Sequence, residues 1–127
     1  MEHIAIGASG LNTSRIGLGT WAIGGWMWGG TDEAKSIATI RSAVERGVTL
    51  IDTAPAYGFG RSEEIVGKAL AEGGLRDKVQ IATKVGLAWK DGAVFRDSPS
   101  RPDPQGDRGF VATAAHRCHR PLSGPLA

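Results

Sequence analysis

The sequence predicts an α/β fold built on parallel strands, and three observations carry that expectation. Short apolar segments and helical patterns alternate in the order strand, helix, strand, helix, strand. Such an order calls for parallel strands joined by right-handed crossovers. The second and third core segments are largely continuous in apolar character, which suits strands buried on both faces. Each then closes on or near a charged residue, Asp52 in one and Lys84 in the other. An open doubly wound sheet and a closed eight-fold barrel both fit, and in both the chemistry gathers at the carboxyl ends of the strands.

Residues 3–6 and 14–18 are short apolar segments separated by Gly7, Gly10 and Asn12. They read as a hairpin, or as one cap strand followed by a core strand. A loop rich in glycine and tryptophan follows, GLGTWAIGGWMWGG. Thr31 or Asp32 then caps a helix whose Ile37, Ile40 and Val44 share one face. Glu33 in its first turn and Arg46 in its last match the helix dipole, and Gly47 is placed to end it. Residues 48–52 form the next strand. Ser62 is the expected cap of the second helix, with Glu63 and Glu64 in its first turn. Ile65, Val66, Ala69 and Leu70 supply that helix's buried side, and Gly73-Gly74 ends it. Residues 79–85, VQIATKV, are the third core strand.

Composition narrows the function classes. A chain of 127 residues with 41% hydrophobic residues is long enough for one domain with a core. No run of 18 apolar residues exists, so no membrane span is expected. The opening MEHIAIGASG has no basic stretch before an apolar core, so a secretory signal is not expected either. A single cysteine, Cys118, rules out an internal disulfide framework, and a cytoplasmic location is the default expectation. Residues 1–97 carry 11 Lys+Arg and 11 Asp+Glu, whereas residues 98–127 carry four Arg and two Asp. The net +2 therefore comes from the tail, and the body shows no basic stripe of the kind nucleic acid demands.

The chemistry centres on IDTAPAYGFGRSEE, residues 51–64. A free tyrosine has a pKa near 10, too high for an efficient acid at neutral pH. A neighbouring ammonium favours a phenolate, and a carboxylate keeps that ammonium charged and oriented. Asp52, Lys84 and Tyr57 supply those three groups. Their natural task is to protonate a carbonyl oxygen while hydride arrives at carbon, and since no side chain supplies hydride, a nicotinamide cofactor is implied. Taken singly, Asp52 reads as a turn residue, Tyr57 as packing and Lys84 as a surface lysine on an edge strand. Their common place at strand ends sets them apart.

GLGTW (17–21), IDTAPAYGFGRSEEIVGKAL (51–70) and IATKVG (81–86) resemble the opening third of an aldo-keto reductase, most closely the bacterial branch acting on small or sugar-like carbonyls. The resemblance covers roughly residues 1–98. It implies an eight-fold β/α (TIM) barrel preceded by a hairpin that plugs its floor, here the hairpin plus about three β/α units of an incomplete barrel. It also implies NADPH bound without a Rossmann domain, a small aldehyde, ketone or sugar-like carbonyl as substrate, and a catalytic group of Asp, Tyr, Lys and His. Asp52, Tyr57 and Lys84 match the first three of that group, with Tyr57 as proton donor, Lys84 as its tuner and Asp52 as partner of Lys84. Gly19, Thr20 and Trp21, with Asp52, fall at the expected nicotinamide pocket. A Rossmann fingerprint at Gly17, Gly19 and Ala22 is rejected, because a helix should begin at once and Gly24, Gly25, Gly29 and Gly30 break the chain instead. Trp26 and Trp28 read as a mobile loop over the barrel mouth or as rim packing.

The pattern collapses after Ser98. The family's next amphipathic helix, and the strand carrying the catalytic histidine, do not appear. Residues 1–97 are therefore expected to be a partial barrel and residues 98–127 a non-homologous, disordered tail. His116, Cys118 and His119 lack a fourth ligand and match no common zinc spacing, so no metal is expected. Synonymous codons for residues 101–127, read one base out of frame, can encode GPIRKEIEDSLRRLHTDVIDLYQVHW, which looks like the missing helix, strand and histidine. The expected outcome is a truncated, inactive copy of a reductase. The alternative is a non-catalytic binding or regulatory fragment with a basic disordered arm, and a half-barrel that assembles with a partner is a third possibility.

Overall fold

The structure is a computed structural model and describes residues 1–96. The expected tail, with its expected disorder, its shifted-frame reading and its His116–Cys118–His119 cluster, lies outside the described residues.

The chain opens with an antiparallel hairpin, β1 (His3–Ala5) against β2 (Asn12–Ser14), with Ile4 opposite Thr13. The segment 14–18 does not continue as one strand. The Ser14 hydroxyl donates to the carbonyl of Ile16 at 2.7 Å, and the chain bends before β3 (Leu18–Gly19). Both readings of this region are thus partly realised, since a hairpin and a separate core strand are present. The hairpin is fastened below the sheet by a reciprocal pair. Ser14 N–H donates to Thr49 Oγ1 at 2.7 Å, and Thr49 N–H donates to Ser14 Oγ at 2.8 Å. Thr49 immediately precedes β4 (Leu50–Asp52), so the hairpin lies at the amino-terminal end of that strand.

Helix α1 (Glu33–Glu45) begins at Asp32, whose carboxylate accepts from Lys35 N–H at 3.0 Å. It ends in a Schellman motif. Gly47, at φ 91°, donates to the carbonyl of Val44 at 2.9 Å, and Val48 donates to that of Ala43 at 3.0 Å. Arg46 sits at the C-cap rather than within the last turn. Helix α2 (Arg61–Leu70) is capped by Gly60 at φ 94° and not by Ser62. Ser62 lies inside the first turn, fully buried, with its hydroxyl engaged by residues of the strand ends. Gly73 and Gly74, both at positive φ, turn the chain out of α2 toward β5 (Gln80–Ala82).

The parallel sheet has the order β3-β4-β5, each strand beside its sequence neighbour. Leu18, Ile51 and Ile81 are in register and face the helices. There they meet Ile40 and Val44 of α1 and Ile65, Val66, Ala69 and Leu70 of α2. Each fully buried aliphatic side chain, such as Ile40, Ile51 or Ile65, contributes about 1.5–3 kcal/mol. Gly19, Asp52 and Ala82 share the next register row and so point to the opposite face. Strands added in sequence order, with both crossover helices on one face, are barrel geometry; a doubly wound sheet places helices on both faces. Among the described residues the sheet has three strands and does not close.

A second hairpin, β6 (Leu87–Lys90) against β7 (Ala93–Arg96), was not anticipated. It turns at Asp91 and Gly92, both at positive φ, the Asp-Gly combination that suits a two-residue hairpin loop.

Candidate active site

The sheet's own ladder fixes Asp52 at the carboxyl end of β4. Thr20 donates twice to the Asp52 carbonyl, from its N–H and from its hydroxyl, each at 3.0 Å. The Asp52 carboxylate is thereby left on the face away from the helices, about half exposed at 47%. Lys84 lies two residues past β5. Its Nζ donates to Asp52 Oδ1 at 2.8 Å, to Oδ2 at 3.0 Å and to the carbonyl of Thr53 at 3.0 Å. The same ammonium lies over the ring of Tyr57, 4.8 Å from its centroid. Partial burial works against the charge of Lys84. The hydrogen bonds and negative charge of Asp52, with a further contribution from Tyr57, outweigh it and hold the amine above the ordinary lysine range.

Glycines surround Tyr57 because its loop is a tight fold of backbone on backbone. Tyr57 N–H donates to the carbonyl of Ala54 at 3.0 Å, and Gly58, Phe59 and Gly60 then all take positive φ. A Cβ on Gly24 would meet the Tyr57 carbonyl carbon at 2.7 Å, so only glycine lets the short 3-10 turn Ala22–Gly24 lie against this loop. Phe59 holds its left-handed conformation between Trp26, at 5.0 Å between ring centroids, and Trp89 of β6, at 6.3 Å. Trp26 is therefore part of rim packing. Trp21 stacks on Tyr57 at 6.0 Å with an interplanar angle of 22°, and Trp28 meets Trp21 edge-on at 5.7 Å.

The structure thus brings Asp52, Lys84, Tyr57 and Trp21 to one place. Gly19 stands beside Asp52 in register, and a Cβ there would meet nothing within 4 Å. Thr20 is different, because its hydroxyl is fully buried against the Asp52 carbonyl and Ser62. Sequence reasoning missed the parts played by Thr53, Ser62 and Trp89. The Asp91-Gly92 turn between alternating segments was the available signal for the Trp89 hairpin. Among the described residues, no group of three or more His, Cys, Asp or Glu side chains is placed to hold a metal ion, and no helix is long and apolar enough to cross a membrane.

The family model for the aldo/keto reductase family matches residues 15–120. The aldo-keto reductase YhdN of Bacillus subtilis is 66% identical over 96 residues, covering 76% of this chain and 29% of that protein. The NADH-specific methylglyoxal reductase of Escherichia coli is 42% identical over 125 residues, covering 92% of this chain and 38% of that protein. Among solved structures, a glycerol dehydrogenase of Gluconobacter oxydans superposes with a TM-score of 0.66 at 48% identity, over 91% of this chain and 35% of that one. The chain thus spans about a third of the length of the relatives it matches.

Proposed function

The chain belongs to the aldo/keto reductase family of oxidoreductases, and from that premise we propose that residues 1–96 carry the proton-delivering part of a site for reducing a carbonyl. The observation that carries the proposal is the Lys84 ammonium, held by both oxygens of Asp52 at 2.8 and 3.0 Å and lying over the Tyr57 ring, at the carboxyl edge of a parallel sheet. In the proposed reaction Tyr57 donates its hydroxyl proton to the carbonyl oxygen of a small aldehyde, ketone or sugar-like substrate. The ammonium of Lys84 stabilises the phenolate that Tyr57 becomes, and Asp52 keeps that ammonium charged and in place. The reverse oxidation uses the same groups. Two relatives, a methylglyoxal reductase and a glycerol dehydrogenase, support small carbonyl or polyol substrates.

A nicotinamide cofactor would supply the hydride. The residues present leave room for it, since the space beside Gly19 is open and Trp21 offers a part-exposed flat ring. Gly19, Trp21 and Asp52 would meet the nicotinamide, while the fully buried Thr20 would hold the Asp52 backbone behind them. The resemblance favours NADPH, whereas the Escherichia coli relative is named NADH-specific, so both are to be assayed.

We also propose that the chain is inactive alone, because among the described residues Asp52, Tyr57 and Lys84 stand on a three-stranded sheet that does not close around a substrate. Residues 98–127 are proposed to come from a shifted reading frame. A nucleotide sequence across codons 97–101 in which no single-frame correction restores the family helix would overturn that reading. The function itself is tested in a hybrid in which residues 1–96 replace the matching segment of the Bacillus subtilis relative. The hybrid should oxidise NADPH or NADH with a small aldehyde, and Tyr57→Phe should lower its rate by about 10²–10⁴-fold. A Tyr57→Phe hybrid as fast as its parent would refute the role of Tyr57. Turnover by the isolated chain would refute its proposed inactivity.

A further inference from the structure

We propose that Ser62 and Glu63, neighbours in the first turn of α2, are positioning residues for the Asp52–Lys84–Tyr57 group, clamping the ends of all three parallel strands to the helix start. The proposal rests on reading that group as the proton-delivery site.

Ser62 is fully buried and is not the helix cap. Its Oγ lies 2.7 Å from Thr20 Oγ1, 2.9 Å from the Thr20 carbonyl and 3.3 Å from Thr53 Oγ1. Each hydroxyl has one hydrogen to give. That of Thr20 goes to the Asp52 carbonyl at 3.0 Å, so the Ser62 hydrogen is shared between Thr20 Oγ1 and the Thr20 carbonyl, and Ser62 in turn accepts from Thr53. The hydrogens run in one direction, from Thr53 through Ser62 and Thr20 to the Asp52 backbone. The chain of hydroxyls touches the site at both ends, because the Thr53 carbonyl also accepts from Lys84 Nζ at 3.0 Å.

Glu63 grips the third strand. Thr83 Oγ1 donates to Glu63 Oε1 at 2.6 Å, and Thr83 immediately precedes Lys84. Glu33 of α1 and Glu64 of α2 are engaged by Arg61 and Lys68, whereas Glu63 joins no ion pair among the described residues. Two consecutive residues therefore reach Thr20, Thr53 and Thr83, each adjacent in sequence to a site residue. A displacement of about 1 Å at a reacting group can cost 10²-fold in rate, which gives such a clamp its consequence.

Trace acetylation of the full chain with acetic anhydride at mildly alkaline pH, read by mass spectrometry, tests the clamp. Lys35, with a side chain 85% exposed, is the internal reference. Asp52→Asn should raise Lys84 labelling about tenfold relative to Lys35, since loss of a carboxylate partner moves the amine by about one pKa unit. Ser62→Ala and Glu63→Ala should each raise it about threefold, a part of that shift. Glu63→Gln, which keeps an acceptor oxygen for Thr83, should stay near the parent. Val66→Ala loosens α2 from the core without touching the clamp and reads general loss of stability. Labelling of Ser62→Ala and Glu63→Ala no faster than the parent or Val66→Ala would overturn the clamp, as would Glu63→Gln labelling like Glu63→Ala. An unchanged Asp52→Asn would instead overturn the site reading, and the clamp with it.

Discussion

Lys84 is the residue on which the site turns, because its three donors are all committed. Two face the oxygens of Asp52 and one faces the Thr53 carbonyl, and the charge so fixed lies over the Tyr57 ring. Burial lowers the affinity of this amine for its proton, but Asp52 and Tyr57 raise it more, so the stability that the charged amine contributes is complete below the ordinary lysine range. It is lost only as pH rises through the raised value. Asp52→Asn should therefore move Lys84 titration toward lower pH, measured by the carbon shift of its terminal methylene. No displacement would show that the carboxylate does not hold the ammonium. Gly24 makes a second residue-scale prediction. Gly24→Ala places a Cβ 2.7 Å from the Tyr57 backbone, so the loop must shift and the Trp21–Tyr57 stack should weaken. A near-ultraviolet circular dichroism band that survives the substitution unchanged would contradict this. Asp52, Tyr57 and Lys84 could be selected from sequence because their types and spacing imply proton transfer. Thr20 could not be placed, because only the folded register shows its hydroxyl committed to a backbone carbonyl.

At the scale of elements, local chemistry and distant packing divide the explanation. Gly47 ends α1 through its positive φ, and a Cβ there would also approach Met1 Cβ at 3.0 Å. Gly47→Ala should cost about 1–2 kcal/mol in urea unfolding, and Asp32→Ala, which removes the cap at Lys35 N–H, about 1 kcal/mol. Equality of either variant with the parent would refute these assignments. Both features were legible in the sequence, because a cap and a left-handed stop depend on residues within one turn. Ser62 was misread as a cap for the opposite reason. Its hydroxyl is claimed by Thr20 and Thr53 from other strands, and Gly60 at φ 94° takes the cap position instead. The strand at 79–85 shrank to Gln80–Ala82 because past Ala82 the chain leaves the ladder to aim Lys84 at Asp52. The β6–β7 hairpin had a local signal in Asp91-Gly92, and its consequence, Trp89 against Phe59, is a tertiary one.

Over the whole molecule, the three-stranded sheet with both helices on one face is a section of a barrel wall. The two helices are also joined by charge. Lys68 bridges Glu33 at 2.9 Å and Glu64 at 3.1 Å, while Arg61 bonds Glu33 and lies 2.9 Å from Glu64. Hydrogen bonds from Lys68 to Glu33 and from Arg61 to Glu64 are the largest influences holding these two carboxyls below their usual range. Their contribution is complete at neutral pH, begins to fall below about pH 4.3 and is lost as pH drops through the lowered values. Glu33→Gln should flatten that acid limb of stability, and added salt should weaken the contribution throughout. An acid limb identical to the parent's would refute the network's role. The family likeness was legible from motifs within residues 17–86, whereas the joining of α1 to α2 by these ions was not, because Glu33 and Arg61 stand far apart in sequence. Lys84 is proposed to act through Tyr57 as one proton-delivering unit, and a double-mutant cycle in the 1–96 hybrid measures that coupling. With Tyr57→Phe alone slowing turnover by about 10²–10⁴-fold, adding Lys84→Met should slow it little further. Losses that instead multiply would show the two residues working independently and would refute the shared unit.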